Sequence, residues 1–279
     1  MKTRAAALVS AVALACGGMA INNGSAGAVT ATSSGTTAVA QTDAASGYRL
    51  VFSDGFGGRK LDPSKWQFLD LRAPQRQCSL PSASMSSVRG GVLRLQMKRV
   101  AKPGGGCKYG RFINGVVGTR GIKSFKYGKF SARIKFEAPR GAHGAFWLYN
   151  PITEADVAEY FGSPNPGGGL RSYVHRPQHH NGKTTFVSAG GPINAGEVQK
   201  IIGRGKFVSD AYHVFTVEWT SHGYTFSIDG HVTLRVSGGG VNPSFLVLSL
   251  LSSDYELHNL NSKRLPMTML VDWVKVWQK

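Results

Sequence analysis

The chain has 279 residues, which is enough for one domain with a substantial hydrophobic core and a short targeting segment. Its 33 lysine and arginine residues outnumber 15 aspartate and glutamate residues, giving a formal net charge of +18 at pH 7. The basic residues are dispersed and accompany no nucleic-acid-binding motif, so we expect no nucleic-acid partner. The charge instead favours solubility and adhesion to an anionic surface or an acidic polysaccharide.

The N-terminus has the pattern of a secretory signal peptide. Lys2 and Arg4 precede an apolar run over residues 5–15 that is too short to span a bilayer. Small residues follow and offer cleavage after residue 28 or, alternatively, after residue 40. We therefore expect a signal peptide over residues 1–28, a secreted protein, and no membrane span elsewhere in the chain.

The rest of the chain divides into a linker and a folded domain. Residues 29–47 are rich in alanine, threonine, serine and glycine and predict a linker, because they offer little apolar surface to bury. Residues 48–279 contain short alternating segments separated by turn residues. One such pair of segments flanks Asp229 and Gly230, which together predict a two-residue hairpin turn. This pattern predicts an all-β antiparallel sandwich.

Two cysteines remain after the predicted signal peptide, Cys78 and Cys107. In an exported chain two cysteines most simply form one disulfide, and the alternative is a pair of buried free thiols. The bridge would close a loop of about 30 residues ahead of the acidic segment described next.

Three of the 15 acidic residues lie within six positions, at Glu154, Asp156 and Glu159. Apolar and aromatic flanks predict that this segment is a strand. On a regular strand Glu159 would point away from the other two, and a one-residue bulge at residues 157–158 would bring it back to their face. A pair of carboxylates about 5–5.5 Å apart suits retaining glycoside hydrolysis. The alternative is a surface strand whose carboxylates pair with lysine and arginine.

This Glu-x-Asp-x-x-Glu pattern, preceded by residues 144–148, resembles the bulged, laminarinase-like form of glycoside hydrolase family 16. Further blocks resemble other strands of that family in the same order, at residues 50–66, 125–135, 212–219 and 271–277. The resemblance implies a two-sheet antiparallel β-jelly-roll sandwich with a concave substrate cleft, formed by residues 48–279. The chain would then be a catalytic domain that acts on a polysaccharide.

The resemblance also implies catalytic roles. Glu154 matches the nucleophile of the family, Glu159 its acid/base, and Asp156 the carboxylate that assists the nucleophile. This reaction needs no metal or organic cofactor.

Two aromatic residues near this segment match substrate contacts of the family. Trp147 matches a tryptophan at the floor of the cleft, where its indole would stack on a sugar ring, and a core position is the alternative. His175 matches a histidine on the following strand, which would hydrogen-bond the substrate or Glu159. A purely structural histidine is the alternative.

Three further residues are weaker candidates for substrate binding. Arg120 and Asn114 precede the family's hairpin and would contact sugar hydroxyls, or else lie on the surface without that role. Trp219 would either flank the cleft or fill the core.

The chain departs from the family pattern at two places. His143 stands where laminarinase-like members often have a tryptophan, which bears on the sugar subsites. Gly55 stands where a glutamate often helps to bind a structural calcium, together with an aspartate that matches Asp272. A calcium site is therefore weakened, and Asp272 would simply make a hydrogen bond.

The sequence favours a secreted, monomeric, endo-acting hydrolase of internal β-glycosidic bonds, with β-1,3-glucan as its first candidate substrate. A transglycosylase, or a hydrolase of a galactan-like or acidic chain, is the alternative that His143 and the positive charge suggest. A non-catalytic glycan-binding sandwich is a third possibility, because fold alone does not determine function.

Overall fold

The structure is a computed structural model, and it describes residues 42–43, 47–71, 76, 78–102, 104–137, 139–163, 169–180, 183–253 and 256–279. The predicted signal peptide over residues 1–28 lies outside the described residues. Most of the predicted linker over residues 29–47 lies outside them as well.

The described residues form mainly β-strands. These are β1 (Thr42–Asp43), β2 (Tyr48–Asp54), β3 (Gln67–Phe68), β4 (Ser79–Pro81), β5 (Ser86–Val88), β6 (Leu93–Ala101), β7 (Arg111–Gly118), β8 (Gly128–Lys135), β9 (Ala142–Tyr149), β10 (Glu154–Tyr160), β11 (Leu170–His180), β12 (Lys183–Pro192), β13 (His213–Thr220), β14 (Gly223–Ile228), β15 (His231–Ser237), β16 (Phe245–Ser252) and β17 (Met267–Gln278). One α-helix, α1, spans Ala195–Ile202. Within the described part of the chain no helix has the length and apolar character needed to cross a bilayer.

The strands form two layers. The first, called the β10 sheet, has the order β12–β11–β10–β9–β16–β7–β3. The second, called the β17 sheet, has the order β15–β14–β13–β8–β17, and the free edge of β17 pairs with β6 and then with β2. Strand β7 joins the layers, because residues 111–114 pair with β6 and residues 115–118 with β16. The predicted all-β antiparallel sandwich is confirmed.

The main hydrophobic core lies between the two layers. Phe130 and Ile134 of β8 are fully buried, as their alternation with polar residues predicts. Phe136 continues this face and contacts both layers, with ring centroids 5.1 Å from Phe215 of β13 and 5.4 Å from Tyr160 of β10. The inner face of β10 is therefore fixed by core packing, which leaves its other face for polar side chains.

The predicted hairpin turn connects β14 to β15. Asp229 and Gly230 both have positive φ angles, 48° and 83°. A two-residue turn of this kind needs positive φ at both positions, and aspartate and glycine tolerate it better than most residues. The Asp229 carboxylate is held by the Val214 amide and by His213 Nδ1, each at 2.7 Å.

The segment over residues 190–196 is rich in glycine and polar residues, yet it is mostly regular. Strand β12 extends to Pro192, and α1 begins at Ala195. Asn194 caps the helix, because its side-chain oxygen accepts from the amides of Gly196 and Glu197. The polar composition therefore marks a helix N-terminus as well as a turn.

The predicted disulfide between Cys78 and Cys107 is present, and the alternative of two free thiols is wrong. Cys107 lies between β6 and β7 and is almost completely buried. The Cys78 carbonyl accepts a hydrogen bond from Phe112 of β7, at 2.9 Å. The bridge therefore fixes the chain just after residue 76 against the edge of the sandwich.

Candidate active site

Strand β10 carries the predicted bulge. Asp156 pairs with Trp147 of β9 but Ala158 pairs with Phe146, so Val157 has no partner on that side. Val157 and Ala158 are consequently both buried in the core, whereas Asp156 and Glu159 on either side of them project to the opposite face. The extra residue thus returns Glu159 to the face of Glu154 and Asp156, as the spacing predicts.

Glu154, Asp156 and His175 form a compact cluster on this face. Each contributes one polar atom to a group in which all atoms lie within 4.8 Å of one another. Glu154 and Asp156 share a side-chain hydrogen bond. His175 Nε2 lies 3.1 Å from Asp156 Oδ2, and Nδ1 lies 2.7 Å from Ser188 Oγ on β12. His175 therefore contacts Asp156 rather than Glu159, and of its two predicted roles the hydrogen bond to the substrate stays a prediction.

Glu159 contacts a different histidine. His143 of β9 places Nε2 2.9 Å from Glu159 Oε1. The other ring nitrogen, Nδ1, lies 2.6 Å from a guanidinium nitrogen of Arg76. The His143 ring also stacks on Phe161, with ring centroids 4.3 Å apart and planes 13° apart. His143 is thus held between Glu159, Arg76 and Phe161.

Burial and neighbouring charge separate the protonation of the three carboxylates. Burial, and then the charge of Asp156, raise the pKa of Glu154 well above its ordinary value. Burial, and then the charge of Glu159, likewise raise the pKa of Asp156. Burial also acts to raise the pKa of Glu159, but the contact with His143 and the nearby positive charges outweigh it and lower the pKa. The cluster therefore retains a proton on the Glu154–Asp156 pair while Glu159 is ionised.

Trp147 lies on the same face as the carboxylates. It is half-buried, and its Nε1 lies 3.2 Å from Ser249 Oγ of β16. Its ring makes an edge-to-face contact with Tyr149. Burial raises the pKa of Tyr149, and the charge of Arg120 acts to lower it. The prediction of an indole beside the carboxylates agrees with this placement, and the alternative of a fully buried core tryptophan is wrong.

Two predicted substrate contacts are wrong. Asn114 is completely buried, and its amide bonds Ser79 Oγ and the Phe112 carbonyl while its oxygen accepts from the Ser252 amide. Its role is to join β4, β7 and β16. Trp219 fills the core, where its ring stacks on Tyr224 with centroids 5.7 Å apart. Alternation explains this, because residue 219 shares a strand face with buried Val217.

The resemblance links positions 55 and 272 to calcium, and the carboxylates at and beside these positions are engaged elsewhere. Asp54, the neighbour of Gly55, accepts hydrogen bonds from the Phe56 amide at 2.8 Å and from Trp66 Nε1 at 2.9 Å. Asp272 lies 2.6 Å from a guanidinium nitrogen of Arg133. Since both carboxylates already have donors and Gly55 offers no side chain, these residues do not fit a calcium site. The expected hydrogen bond of Asp272 is confirmed.

Sequence reasoning did not identify Arg76 or Tyr149 as members of this site. Arg76 is 67 positions from His143 along the chain, and only the folded sandwich brings them together. Tyr149 could have been found from strand alternation, since it lies two residues from Trp147 and opposite Glu154.

Comparison with known proteins connects this geometry to a family. Glycosyl hydrolases family 16 matches residues 70–250, which include β10. The keratan-sulfate endo-1,4-β-galactosidase of Sphingobacterium multivorum is 28% identical over 264 residues, covering 87% of this chain and 57% of that protein. Glucan endo-1,3-β-glucosidase A1 of Niallia circulans is 24% identical over 276 residues, covering 85% of this chain and 39% of that protein. The chain thus spans about half the length of these curated relatives.

A solved structure supports the fold independently. The laminarinase catalytic domain from Thermotoga maritima MSB8 superposes with a TM-score of 0.64 at 18% identity, covering 83% of this chain and 98% of that one. The match confirms the jelly-roll sandwich, and the family match covers more than half of the chain. This protein belongs to glycosyl hydrolase family 16.

Proposed function

We propose that the protein is an endo-acting, retaining glycoside hydrolase in which Glu154 is the nucleophile and Glu159 the acid/base. The observation that carries this proposal is the bulge at Val157, which gives both glutamates the same face of β10. In the first step Glu154 attacks the anomeric carbon while Glu159 gives a proton to the leaving oxygen. In the second step Glu159 takes a proton from water, which hydrolyses the glycosyl ester.

Asp156 has a supporting role in this proposal. It hydrogen-bonds Glu154, and burial raises the pKa of both carboxyls, so the pair retains one proton, which Asp156 holds in this proposal while Glu154 attacks. His175 Nε2 lies 3.1 Å from Asp156 Oδ2, although the two groups are not aligned as a regular hydrogen bond. Glu154 can then ionise while Asp156 stays protonated. Glu159 is ionised in the free site, so the first step requires a second proton, which Glu159 takes up when bound substrate excludes water and raises its pKa.

We take β-1,3-glucan as the first candidate substrate. Trp147 supports an uncharged sugar ring, since its half-exposed indole offers a flat apolar surface beside the carboxylates. A relative that covers most of this chain is named as a glucan endo-1,3-β-glucosidase.

A galactan-like or acidic polysaccharide is the second candidate. The site includes cationic side chains that a neutral glucan does not need, namely Arg76 beside His143 and Arg171 in register with Glu159. Arg171 also lies over the Phe161 ring, 4.7 Å from its centroid. The relative with 28% identity is named as a keratan-sulfate endo-1,4-β-galactosidase, which is consistent with this candidate.

The proposal extends to export and to oligomeric state. Residues 1–28 supply the signal peptide, residues 29–47 the linker, and residues 48–279 a catalytic domain that acts as a secreted monomer. Support for export comes from the N-terminal pattern and from the disulfide, which persists in oxidising compartments.

The test measures oligosaccharides released from laminarin, mixed-linkage glucan, agarose and keratan sulfate, with chain lengths resolved. Wild type should release mid-length products from at least one of them. Glu154→Gln and Glu159→Gln should each lower the rate by a factor on the order of 10³ or more. Glu197→Gln is the matched control, because this exposed helical glutamate pairs only with Lys200 among the described residues.

The outcomes separate the candidates. Release from laminarin alone supports the glucan, and release from agarose or keratan sulfate alone supports the second candidate. When a released oligosaccharide is itself given to the enzyme, products longer than that oligosaccharide would indicate transglycosylation. Tight polysaccharide binding with no released reducing ends would leave a glycan-binding sandwich and overturn the hydrolase.

A further inference from the structure

Glu159 is anchored by two side chains that the reaction scheme above does not use. His143 Nε2 lies 2.9 Å from Glu159 Oε1, and Arg76 lies 2.6 Å from His143 Nδ1. We propose that Arg76 and His143 form a positioning relay that holds Oε1 of Glu159 and reserves Oε2 for exchange of the catalytic proton. This inference rests on the proposed role of Glu159 as acid/base.

The direction of the relay follows from the chemistry of its members. A guanidinium has only hydrogen-bond donors, so Arg76 must donate to His143 Nδ1. Nδ1 then carries a lone pair, and the proton of the neutral imidazole lies on Nε2. The protonated Nε2 lies 2.9 Å from Glu159 Oε1, which is close enough for His143 to donate to the carboxylate, although the two groups are not aligned as a regular hydrogen bond in the structure. Arg76 therefore selects the histidine tautomer that Glu159 requires.

The relay is built rigidly. His143 is 6% exposed, and its ring is stacked on Phe161. A second guanidinium nitrogen of Arg76 donates to the Ser252 carbonyl at 2.9 Å. Ser252 is the last residue of β16 and pairs with Ala142, the neighbour of His143 on β9. Both members of the relay are thus attached to the same end of the neighbouring strands β9 and β16. They cannot follow a freely rotating carboxylate.

An occupied Oε1 has a consequence for catalysis. A carboxyl that accepts a hydrogen bond at Oε1 carries its own proton on Oε2. Only Oε2 can then give the proton to the leaving group. Without His143, either oxygen could carry the proton, and the group would have to find the productive orientation at each turnover.

The relay also determines the pH above which activity falls, which is the basic limb of the pH profile. Burial favours the neutral form of Glu159, while the contact with His143 and the nearby Arg76 and His175 favour the ionised form. These neighbours outweigh burial, and the pKa of Glu159 lies below its ordinary value. His143 itself is held neutral, because burial and the charges of Arg76 and Arg171 lower its pKa while Glu159 raises it. Loss of the donor should therefore move the basic limb of the pH profile to higher pH.

The test compares two substitutions of one residue. His143→Phe keeps a flat ring for the Phe161 stack but removes both ring nitrogens. His143→Gln keeps an amide that can accept from Arg76 and donate to Glu159. We expect His143→Phe to lower kcat about tenfold and to move the basic limb of kcat/KM up by about one pH unit. His143→Gln should restore most of both, with thermal unfolding measured for each variant.

A second readout does not depend on activity. In wild type with ¹⁵N-labelled histidine, the resonances that disappear in His143→Gln should report a neutral ring protonated at Nε2 at pH 7. A doubly protonated ring, or a ring protonated at Nδ1, would overturn the relay.

Failure of the relay can be told from failure of the proposed function. If Glu159→Gln is as active as wild type, the acid/base assignment is wrong. If Glu159→Gln is inactive but His143→Phe keeps the wild-type pH profile and kcat, the assignment stands and the relay is wrong. If His143→Gln is as impaired as His143→Phe despite equal thermal stability, hydrogen bonding by residue 143 does not matter and the relay is also wrong.

Discussion

Burial decides the protonation of single residues in this protein as much as neighbouring charge does. The three carboxylates of Glu154, Asp156 and Glu159 on one face of β10 are one case, and Glu137 is another. Glu137 follows β8 and is 2% exposed. Its Oε1 accepts from the Gly144 amide at 3.2 Å, whereas Oε2 has no hydrogen-bond partner among the described residues. Burial raises its pKa to about 8, although two backbone hydrogen bonds act to lower it.

We therefore predict that Glu137 makes the fold less stable as pH rises. The folded pKa of about 8 exceeds the ordinary value of 4.5, so the folded state binds the proton more tightly between these values. Its contribution to stability is present below pH 4.5 and is lost as pH rises through 8. In urea unfolding, the stability of Glu137→Gln relative to wild type should rise by about 3 kcal/mol between pH 5 and pH 8.

The control for this prediction is Glu197→Gln, which changes an exposed glutamate of α1. Its stability relative to wild type should vary little over the same range. A Glu137→Gln difference that stays constant with pH would show that Glu137 is already ionised in the fold.

The residue scale also shows where sequence reasoning ends. The alternation of β10 and the spacing of its acids predicted the bulge, because both are local to one strand. The same alternation would have placed Trp219 in the core, but the resemblance to a cleft residue kept the other possibility open. The contact of His143 with Glu159 depends on strand pairing, and that of Arg76 with His143 depends on a chain separation of 67 residues. Neither contact has a local pattern.

At the scale of elements, the bulge of β10 is the feature on which the site depends. Val157 is the extra residue of the bulge, so a strand without it alternates regularly and still places Glu159 on the face of Glu154 and Asp156. We predict that deletion of Val157 lowers glycan hydrolysis by no more than about 100-fold, the cost of a small displacement, whereas Glu159→Gln lowers it by a factor on the order of 10³ or more.

Val157→Ala is the matched control, because it keeps the bulge and removes only buried methyl groups. It should cost about 1–2 kcal/mol in urea unfolding and leave kcat close to wild type. Circular dichroism should show that the deletion variant keeps its strands. A folded deletion variant that is as inactive as Glu159→Gln would mean that Val157 is not the extra residue and that Glu159 has left the face of Glu154.

At the scale of the whole molecule, the net charge of +18 bears on the choice of substrate. If the substrate is anionic, long-range attraction should raise kcat/KM at low ionic strength. We predict that raising NaCl from 0.05 to 0.5 M lowers kcat/KM about tenfold on an acidic galactan. On neutral laminarin the same change should alter it less than about twofold.

Equal salt sensitivity on both polysaccharides would show that the charge does not steer the substrate. The charge would then serve solubility or adhesion, and Arg76 and Arg171 would act only on residues of the site itself.

The central claim is that Glu154 and Glu159 act on opposite sides of one glycosidic bond, and azide rescue tests it most directly. The substrate is an activated aryl β-oligosaccharide of the polysaccharide that wild type cleaves. With Glu154→Gly, azide should attack from the nucleophile's side and give an α-glycosyl azide. With Glu159→Ala, azide should attack the glycosyl-enzyme and give a β-glycosyl azide. The same anomer from both variants, or hydrolysis at the wild-type rate without azide, would contradict the assignment of the two roles.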